Sequence, residues 1–135
     1  MWMPIAAAFA AGTLASFTDW LFMGVLAHKP SLRHPEVWRA GTVGGDNTKA
    51  IVWSTVVGYA TPAAVIALCA LAGARDYRSA LTIAVLAWVA GPLTVTVTNG
   101  MWIKFAPMAT LWHALGYLAR FIIAGIAAAI VLPLQ

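Results

Sequence analysis

Four long apolar runs occupy most of this chain, and they constrain its fold more than any other feature. They cover residues 3–27, 49–73, 79–103 and 108–133, and the charged residues within them are Asp19, Lys49 and Arg120. A helix needs about 20 predominantly apolar residues to cross a membrane. Each run is long enough for one crossing. The sequence therefore predicts an all-α fold, a polytopic transmembrane bundle of four spanning helices that forms one domain over residues 1–135.

The composition excludes a soluble protein. Hydrophobic residues make up 62% of the 135 residues and charged residues 9%, whereas about a quarter of the residues in a soluble domain are charged. The length also excludes a soluble multidomain enzyme. The net charge of +4 comes from basic residues that lie mostly between the apolar runs. That placement indicates contact with the headgroups of the lipid bilayer, and no nucleic acid partner is expected.

The connections between the runs differ in length. Residues 28–48 form a long polar loop, whereas 74–78 and 104–107 are tight turns. Within the long loop, residues 34–41 predict a short interfacial helix, because Pro35 suits a first helical position and Gly41 suits a helix end. Residues 42–46 then form a flexible link to the second span.

The basic residues predict an orientation. An even number of spans places both termini on the side of the 74–78 turn. That side carries two basic residues and the long-loop side carries five: Arg75 and Arg78 against Lys29, Arg33, Arg39, Lys49 and Lys104. The excess predicts that the long loop is cytoplasmic and both termini are outside, in a bacterial inner membrane. The chain begins without a basic segment, so its first run is expected to be an uncleaved span.

Polar residues within the spans concentrate in the halves next to the long loop, here called the loop-side half of the molecule. The opposite half, here called the far half, is almost entirely Ala, Leu, Ile and Val. This asymmetry predicts a one-sided polar cavity. The polar residues of the loop-side half are Ser16, Thr18, Asp19, Ser54, Thr55, Tyr59, Thr61, Thr94, Thr96, Thr98, Asn99, His113, Tyr117 and Arg120.

Asp19 and Arg120 are the two deeply embedded charges. An ionised group in the bilayer centre costs about 2.5–3.5 kcal/mol on insertion scales, so such residues face protein or water. One interpretation is a buried salt bridge that locks the first span against the fourth. A second is a charged site for a proton or a solute, and a third is that Arg120 extends to the interface.

Helical spacing groups several polar side chains. His113, Tyr117 and Arg120 recur at i, i+4 and i+7, and the pairs Thr55–Tyr59 and Thr94–Thr98 each share a helix face. If these faces converge, they line one pocket. The candidate ligand-binding residues are therefore Asp19, Arg120, His113, Tyr117, Asn99, Tyr59, Thr55 and Thr98. The alternative is that the hydroxyl groups serve hydrogen bonds between helices.

Two prolines fall near the middle of their spans. Pro62 and Pro92 each remove a helical hydrogen bond, which frees the carbonyls of Gly58 and Trp88. Helices interrupted at the midplane are a feature of transporter binding sites.

A metal or haem site is the weaker alternative. His28, His34 and His113 lie at the loop-side end together with Met23, Met101 and Met108. Imidazole and thioether groups suit copper, and two imidazoles can hold haem iron. No closely spaced ligand motif is present, so no cofactor is predicted. A serine hydrolase is not favoured either, because the sequence lacks a nucleophile elbow.

The two halves of the chain share a faint pattern, with Gly58-Tyr59 in the second span and Gly116-Tyr117 in the fourth, which suggests a tandem repeat of a helical hairpin. The chain also resembles a family of small bacterial four-helix integral membrane proteins classed as a domain of unknown function. The resemblance covers most of the chain. It is carried by Asp19-Trp20-Leu21-Phe22 and by residues 111–117, Leu-Trp-His-Ala-Leu-Gly-Tyr. It implies the four-helix architecture and no particular activity.

The leading hypothesis is that the protein binds or transports a small anionic or amphipathic molecule in the one-sided polar cavity. Arg120 would hold the anionic group, and Asp19 would be a proton-coupled carboxylate. One alternative is a structural accessory subunit of a membrane complex. Another is an enzyme that acts on a lipid or isoprenoid, with His113 as general base. Faces of small residues such as Ala7, Ala11 and Ala15 favour close helix contact, and a homo-oligomer is expected.

Overall fold

The computed structural model describes residues 2–34, 36 and 47–134, which are helical except at the connections and contain no strand. Among these residues, four helices are long and apolar enough to cross a membrane: Trp2–Leu26, Thr48–Leu71, Tyr77–Trp102 and Pro107–Leu134. These four spans confirm the predicted fold class, and they support an integral membrane protein. The third span begins two residues earlier than predicted. The predicted interfacial helix at 34–41, apart from His34 and Glu36, and the link at 42–46 lie outside the described residues.

The fourth span lies at the centre of the bundle and packs against each of the other three. Its buried residues are mostly small, and they include Gly116, Ala124, Gly125 and Ala128. A Cβ on Gly125 would lie 3.0 Å from the Cβ of Ala84, so this glycine permits the close approach of the third span. Small residues that allow close backbone contact are the usual means of helix association in lipid.

The far half of the bundle is a continuous apolar core. Its buried residues come from the second, third and fourth spans and include Val65, Cys69, Ala80, Ala84 and Ala124. Partly buried Ala7 and Ala8 of the first span pack against this cluster. Side-chain packing therefore joins all four spans in the far half.

The turn between the second and third spans begins with a glycine-dependent helix end. Gly73 has a φ of +69°, a left-handed conformation that glycine adopts without strain. The N–H of Ala74 donates to the carbonyl of Cys69 at 2.9 Å, and the N–H of Gly73 donates to Ala70 at 3.1 Å. This hydrogen-bond pattern is a Schellman motif, which satisfies the last carbonyls of the second span.

The same turn then caps two further helix ends. Asp76 begins the third span, and its Oδ1 accepts a hydrogen bond from the N–H of Ser79 at 2.9 Å. This cap explains the early start of the third span, since Tyr77 and Arg78 follow an N-cap residue. Arg75 donates from Nη1 to the carbonyl of Leu132 at 2.9 Å, at the end of the fourth span.

The spans depart from regular α-helix at three places, which lie in the loop-side half and near the midplane. The first span continues as a π-helix over Trp20–Leu26, and the third span contains a π-helix over Val89–Leu93. The second span is interrupted at Tyr59. Pro62 and Pro92 explain two of these features, because each lacks the N–H that a regular helix needs. Thr94 compensates in part by donating from its hydroxyl to the carbonyl of Val89 at 2.7 Å.

Candidate functional site

Two clefts lie on either side of the central fourth span, and Tyr117 lines both. The first cleft lies between the first, second and fourth spans and has a volume of about 550 Å³. Because Asp19 and Arg120 line it, together with Ser16, Thr55 and Tyr117, it is called here the paired-charge cleft. The second lies between the third and fourth spans, has a volume of about 480 Å³ and is called the uncharged cleft. Its polar lining residues are Thr96, Asn99, Thr110, His113 and Tyr117.

Asp19 and Arg120 form an ion pair across the first and fourth spans. Nη2 of Arg120 donates to Oδ2 of Asp19. The side chains are 12% exposed for Arg120 and 17% exposed for Asp19. Two of their buried atoms, Oδ1 of Asp19 and Nε of Arg120, have no hydrogen-bond partner among the described residues. The pair is therefore neutral overall, yet it retains one acceptor and one donor.

The second span makes room for the Arg120 guanidinium. A Cβ on Gly58 would lie 3.2 Å from Nη2 of Arg120, so a larger residue would press on the charged group. Gly58 directly precedes the interruption at Tyr59. On the other side, Cζ of Arg120 lies 5.9 Å from the centre of the Tyr117 ring, within the range of a cation–π contact.

Tyr59 joins the second span to the first. Its hydroxyl lies 3.1 Å from Oγ1 of Thr13, and its ring stacks on Phe9 with centroids 5.3 Å apart. A Cβ on Gly12 would overlap the Tyr59 ring, so this contact depends on a glycine in the first span. Tyr59 and Thr55 also line a hollow next to the paired-charge cleft, which shares Ser16, Trp20 and Thr55 with it.

His113 has a defined hydrogen-bonding arrangement in the uncharged cleft. Its Nδ1 lies 2.7 Å from the carbonyl oxygen of Ala109. A carbonyl oxygen only accepts, so Nδ1 is the donor, and Nε2 of the neutral ring is left as an acceptor. The ring of Phe105 lies 6.2 Å from the His113 ring, between centroids, and forms part of the apolar wall.

The uncharged cleft is held open between two contacts of the third and fourth spans. Toward the far half, Nε1 of Trp88 donates to the carbonyl of Ala114 at 3.0 Å. Toward the loop side, a Cβ on Gly100 would lie 2.9 Å from Oγ1 of Thr110, so the spans touch closely there. Pro92 and its π-helix lie between these contacts, and Pro92 lines the cleft. Segments of π-helix occur frequently at functional sites.

The predicted site residues are divided between the clefts because the fourth span lies at the centre. Asp19, Arg120, Thr55 and Tyr117 line the paired-charge cleft. Asn99 and His113 line the uncharged cleft, on the other side of Tyr117. The structure does not bring Thr98 to either cleft. Its side chain is exposed on a different face of the third span.

Several lining residues were missed by sequence reasoning. Thr110 lies three residues before His113, so the face that carries His113 and Tyr117 extends to it. On the third span, the lining residues follow the spacing i, i+3, i+4 and i+7: Pro92, Val95, Thr96 and Asn99. That spacing selects Thr96 rather than Thr98. Gly12 carried no signal in the sequence, because its role depends on the position of Tyr59.

Most hydroxyl groups in the spans hydrogen-bond within their own helix. They donate to carbonyls three to five residues earlier, as seen for Thr13, Ser16, Thr18, Ser54, Thr55 and Thr94. In the described part of the chain, two spans are joined through hydroxyl groups at the contact between Thr13 and Tyr59. Hydrogen bonds between helices, the alternative role for these groups, therefore explain few of the hydroxyl residues in the loop-side half.

The three histidines have different surroundings. His28 begins a helical turn, His28–Ser31, directly after the first span. His34 lies 3.4 Å from Glu36, from Nδ1 to Oε1, whereas His113 lies in the uncharged cleft. Within residues 2–34, 36 and 47–134, no group of three or more His, Cys, Asp or Glu side chains is placed to hold a metal ion.

The geometry of the two clefts has to be interpreted from its own chemistry. Comparison with known proteins found no matching protein family, no matching curated protein and no matching solved structure.

Proposed function

We propose that this protein binds a small anionic amphiphile in the paired-charge cleft, and that Asp19 takes up a proton when the anion binds. The observation that carries the proposal is the largely buried, neutral Asp19–Arg120 pair with an unpartnered donor and acceptor. An anion bound to Arg120 beside an ionised Asp19 would give the cleft a net negative charge. Uncompensated charge within a membrane is costly, so a proton on Asp19 restores neutrality.

The surroundings of the pair support this charge argument. Asp19 and Arg120 are the charged residues that line the cleft, and Tyr117 is its other titratable residue. A protonated Asp19 no longer competes as an anion for the guanidinium. Arg120 then has charged N–H groups to offer to the ligand, and hydrogen bonds of that kind are the strong ones.

The mixed apolar and polar lining of the cleft favours an amphiphile rather than a fully polar solute. Its wall includes Trp20, Met23 and Ile51 beside the polar residues. The apolar part of a ligand would lie against these side chains, with its anionic group at Arg120. Because a packed apolar core joins the spans in the far half, the proposal is for binding from the loop side rather than for an open pore.

The test uses decanesulfonate, an amphiphile that stays anionic and takes up no proton itself. The protein is placed in phosphatidylcholine nanodiscs, with empty discs as background. We expect the wild type to bind the probe with uptake of about one proton per anion. Asp19→Asn should bind without proton uptake, and Arg120→Leu should lose binding. Asn99→Leu, in the other cleft, should behave as the wild type. Unchanged binding by a folded Arg120→Leu variant would contradict the proposal.

A structural accessory subunit is the second candidate, because the ion pair joins the first span to the central fourth span. In that case the double variant Asp19→Asn with Arg120→Gln, which removes both charges, should keep all function. Loss of one partner alone should still destabilise the fold by about 3–5 kcal/mol. Proton-coupled binding of decanesulfonate is not expected from a purely structural pair. An enzyme acting on a lipid or isoprenoid, with His113 as general base, is the third candidate.

We also propose a cellular location and an orientation for the protein. Five basic residues on the long-loop side against two at the opposite turn favour a cytoplasmic long loop in a bacterial inner membrane. The motifs around Asp19 and His113 favour membership in the small bacterial four-helix family that the sequence resembles. Exposed apolar side chains on the third span, such as Leu86, Val89 and Val95, suit lipid or a second copy of the chain.

A further inference from the structure

We propose that the uncharged cleft is a second binding site, for a neutral amphiphile whose hydroxyl group donates a hydrogen bond to Nε2 of His113. The site is separate from the paired-charge cleft and goes beyond the function proposed for that cleft. Three features of the cleft support a second site: its lining, the hydrogen bond of His113 and the unpartnered polar side chains.

The lining excludes a charged ligand. No Asp, Glu, Lys or Arg lines the uncharged cleft within the described part of the chain. An ion bound there would be without a counter-charge in a low-dielectric region, which is costly. A neutral molecule meets no such penalty, and the walls formed by Pro92, Val95 and Phe105 suit its apolar part.

The hydrogen bond of His113 defines what kind of polar group the ligand carries. Nδ1 donates to the carbonyl of Ala109 at 2.7 Å. The neutral ring therefore offers an acceptor at Nε2, and its complement is an O–H donor. An ether or an ester carbonyl has no hydrogen to donate and would leave Nε2 unpartnered.

Other polar groups in the cleft also need partners. Unlike the hydroxyls that bond back to their own helices, the side chains of Thr96, Asn99 and Thr110 form no hydrogen bond with the described residues. These side chains are therefore available to hydrogen-bond a ligand in the cleft. A hydroxyl both donates and accepts, so its oxygen can accept from Asn99 or a threonine while its hydrogen is donated to His113.

The test compares two probes of similar shape, decanol and decyl methyl ether, of which only the alcohol donates a hydrogen bond. Binding is measured to protein in nanodiscs, with empty discs subtracted. We expect the wild type to bind the alcohol about tenfold more tightly than the ether. That ratio of affinities corresponds to the free energy of about one hydrogen bond within a membrane. Equal affinity for the two probes would overturn the proposal.

Two variants of His113 separate binding from folding. His113→Asn keeps a nitrogen close to the Nδ1 position, so the bond to Ala109 can persist, but it lacks a group at the Nε2 position. His113→Gln places an amide close to that position. We expect His113→Asn to lose the preference for the alcohol and His113→Gln to recover part of it. Retention of the full preference by His113→Asn would overturn the proposal.

Thr98→Val is the matched control, because Thr98 lies on the third span, which forms one side of the uncharged cleft, but itself lines neither cleft. It should bind the alcohol as the wild type does, and an equal loss in this variant would overturn the assignment. Arg120→Leu should lose decanesulfonate and keep decanol. If decanol binding fails in Arg120→Leu but persists in His113→Asn, the alcohol occupies the paired-charge cleft and the second site is refuted. Failure of decanesulfonate binding alone would refute only the function proposed for the paired-charge cleft.

Discussion

Individual polar residues in the spans differ in where their hydrogen bonds go. Hydroxyl residues such as Ser16 and Thr55 donate to carbonyls of their own helix and need no partner elsewhere. Asp19 and Arg120 depend on each other across two spans, and each keeps an unpartnered atom. Hydroxyl groups satisfied in this way carry little functional information, whereas the paired charges mark a site.

Asp76 provides a test at the residue scale, outside the membrane. The backbone N–H of Ser79 donates to its carboxylate and holds the pKa of Asp76 below its ordinary value. Because the pKa is lower in the folded state, ionised Asp76 stabilises the fold fully above the unfolded-state pKa. That stabilisation is lost as the pH falls through the folded-state pKa. Asp76→Asn keeps an acceptor for Ser79 but does not titrate.

The measurement is thermal unfolding of both proteins in detergent across that acidic range. We expect the Tm of the wild type, relative to that of Asp76→Asn, to be constant above the ordinary pKa of an aspartate and to decrease below it. All other carboxylates are common to both proteins, so their titration cancels. A difference in Tm that stays constant with pH would show that the cap does not depend on charge.

At the scale of helices, backbone irregularities and glycines determine where spans separate and where they touch. The interruption at Tyr59 and the π-helix at Val89–Leu93 lie beside the paired-charge cleft and the uncharged cleft respectively. Gly58 and Gly100 mark points of close contact between spans. The clefts therefore result from local deviations of the helices between fixed contacts.

Gly12→Ala tests the contact between the first and second spans. The added Cβ would overlap the Tyr59 ring, so we expect a loss of about 1–3 kcal/mol in the free energy of unfolding. Gly91→Ala is the matched control, because a Cβ there has no neighbour within 4 Å. Unfolding in mixed micelles with increasing dodecyl sulfate measures both changes.

A double-mutant cycle identifies the partner in this contact. Adding Tyr59→Ala removes the ring that the new Cβ would meet, so the penalty of Gly12→Ala should largely disappear. If Gly12→Ala and Gly91→Ala have the same effect, or if the penalty persists without the Tyr59 ring, the close approach does not control packing here.

The whole molecule is organised around the fourth span rather than as four equivalent helices. Among the residues that the structure describes, 39% of the most apolar stretch of the fourth span is buried, against 11% for the third span. A central helix separates its neighbours into two sides. Six of the eight candidate residues consequently line two clefts that share Tyr117.

Four crossings place the long loop and the turn between the second and third spans on opposite sides of the membrane. Cysteine labelling can test this topology. Cys69 is buried, so Cys69→Ala provides a background without the native thiol. Lys29→Cys and Lys104→Cys should react with an impermeant maleimide from one side of sealed vesicles, and Arg78→Cys from the other. For the proposed orientation, the lysine positions react from the cytoplasmic side. Labelling of Lys104→Cys and Arg78→Cys from the same side would contradict the four-span topology.

The sequence by itself determined the four spans, their approximate ends and the concentration of polar residues in one half. A long apolar run in lipid can satisfy its backbone hydrogen bonds only as a helix, so composition and length suffice for that prediction. The sequence also identified Asp19 and Arg120 as embedded charges, because such residues need a partner. The structure pairs them, in agreement with the salt-bridge interpretation.

Only the tertiary structure decided which span lies at the centre and which polar faces meet. Small residues such as Ala11 and Gly125 permit close packing with many partners, so their presence does not say which helix they contact. The π-helices change the direction of side chains within a span, and the assignment of Thr96 rather than Thr98 to a cleft depends on the position of the neighbouring span. Helical spacing defines faces along one helix, whereas a site requires the relative placement of several helices, which packing over the whole molecule determines.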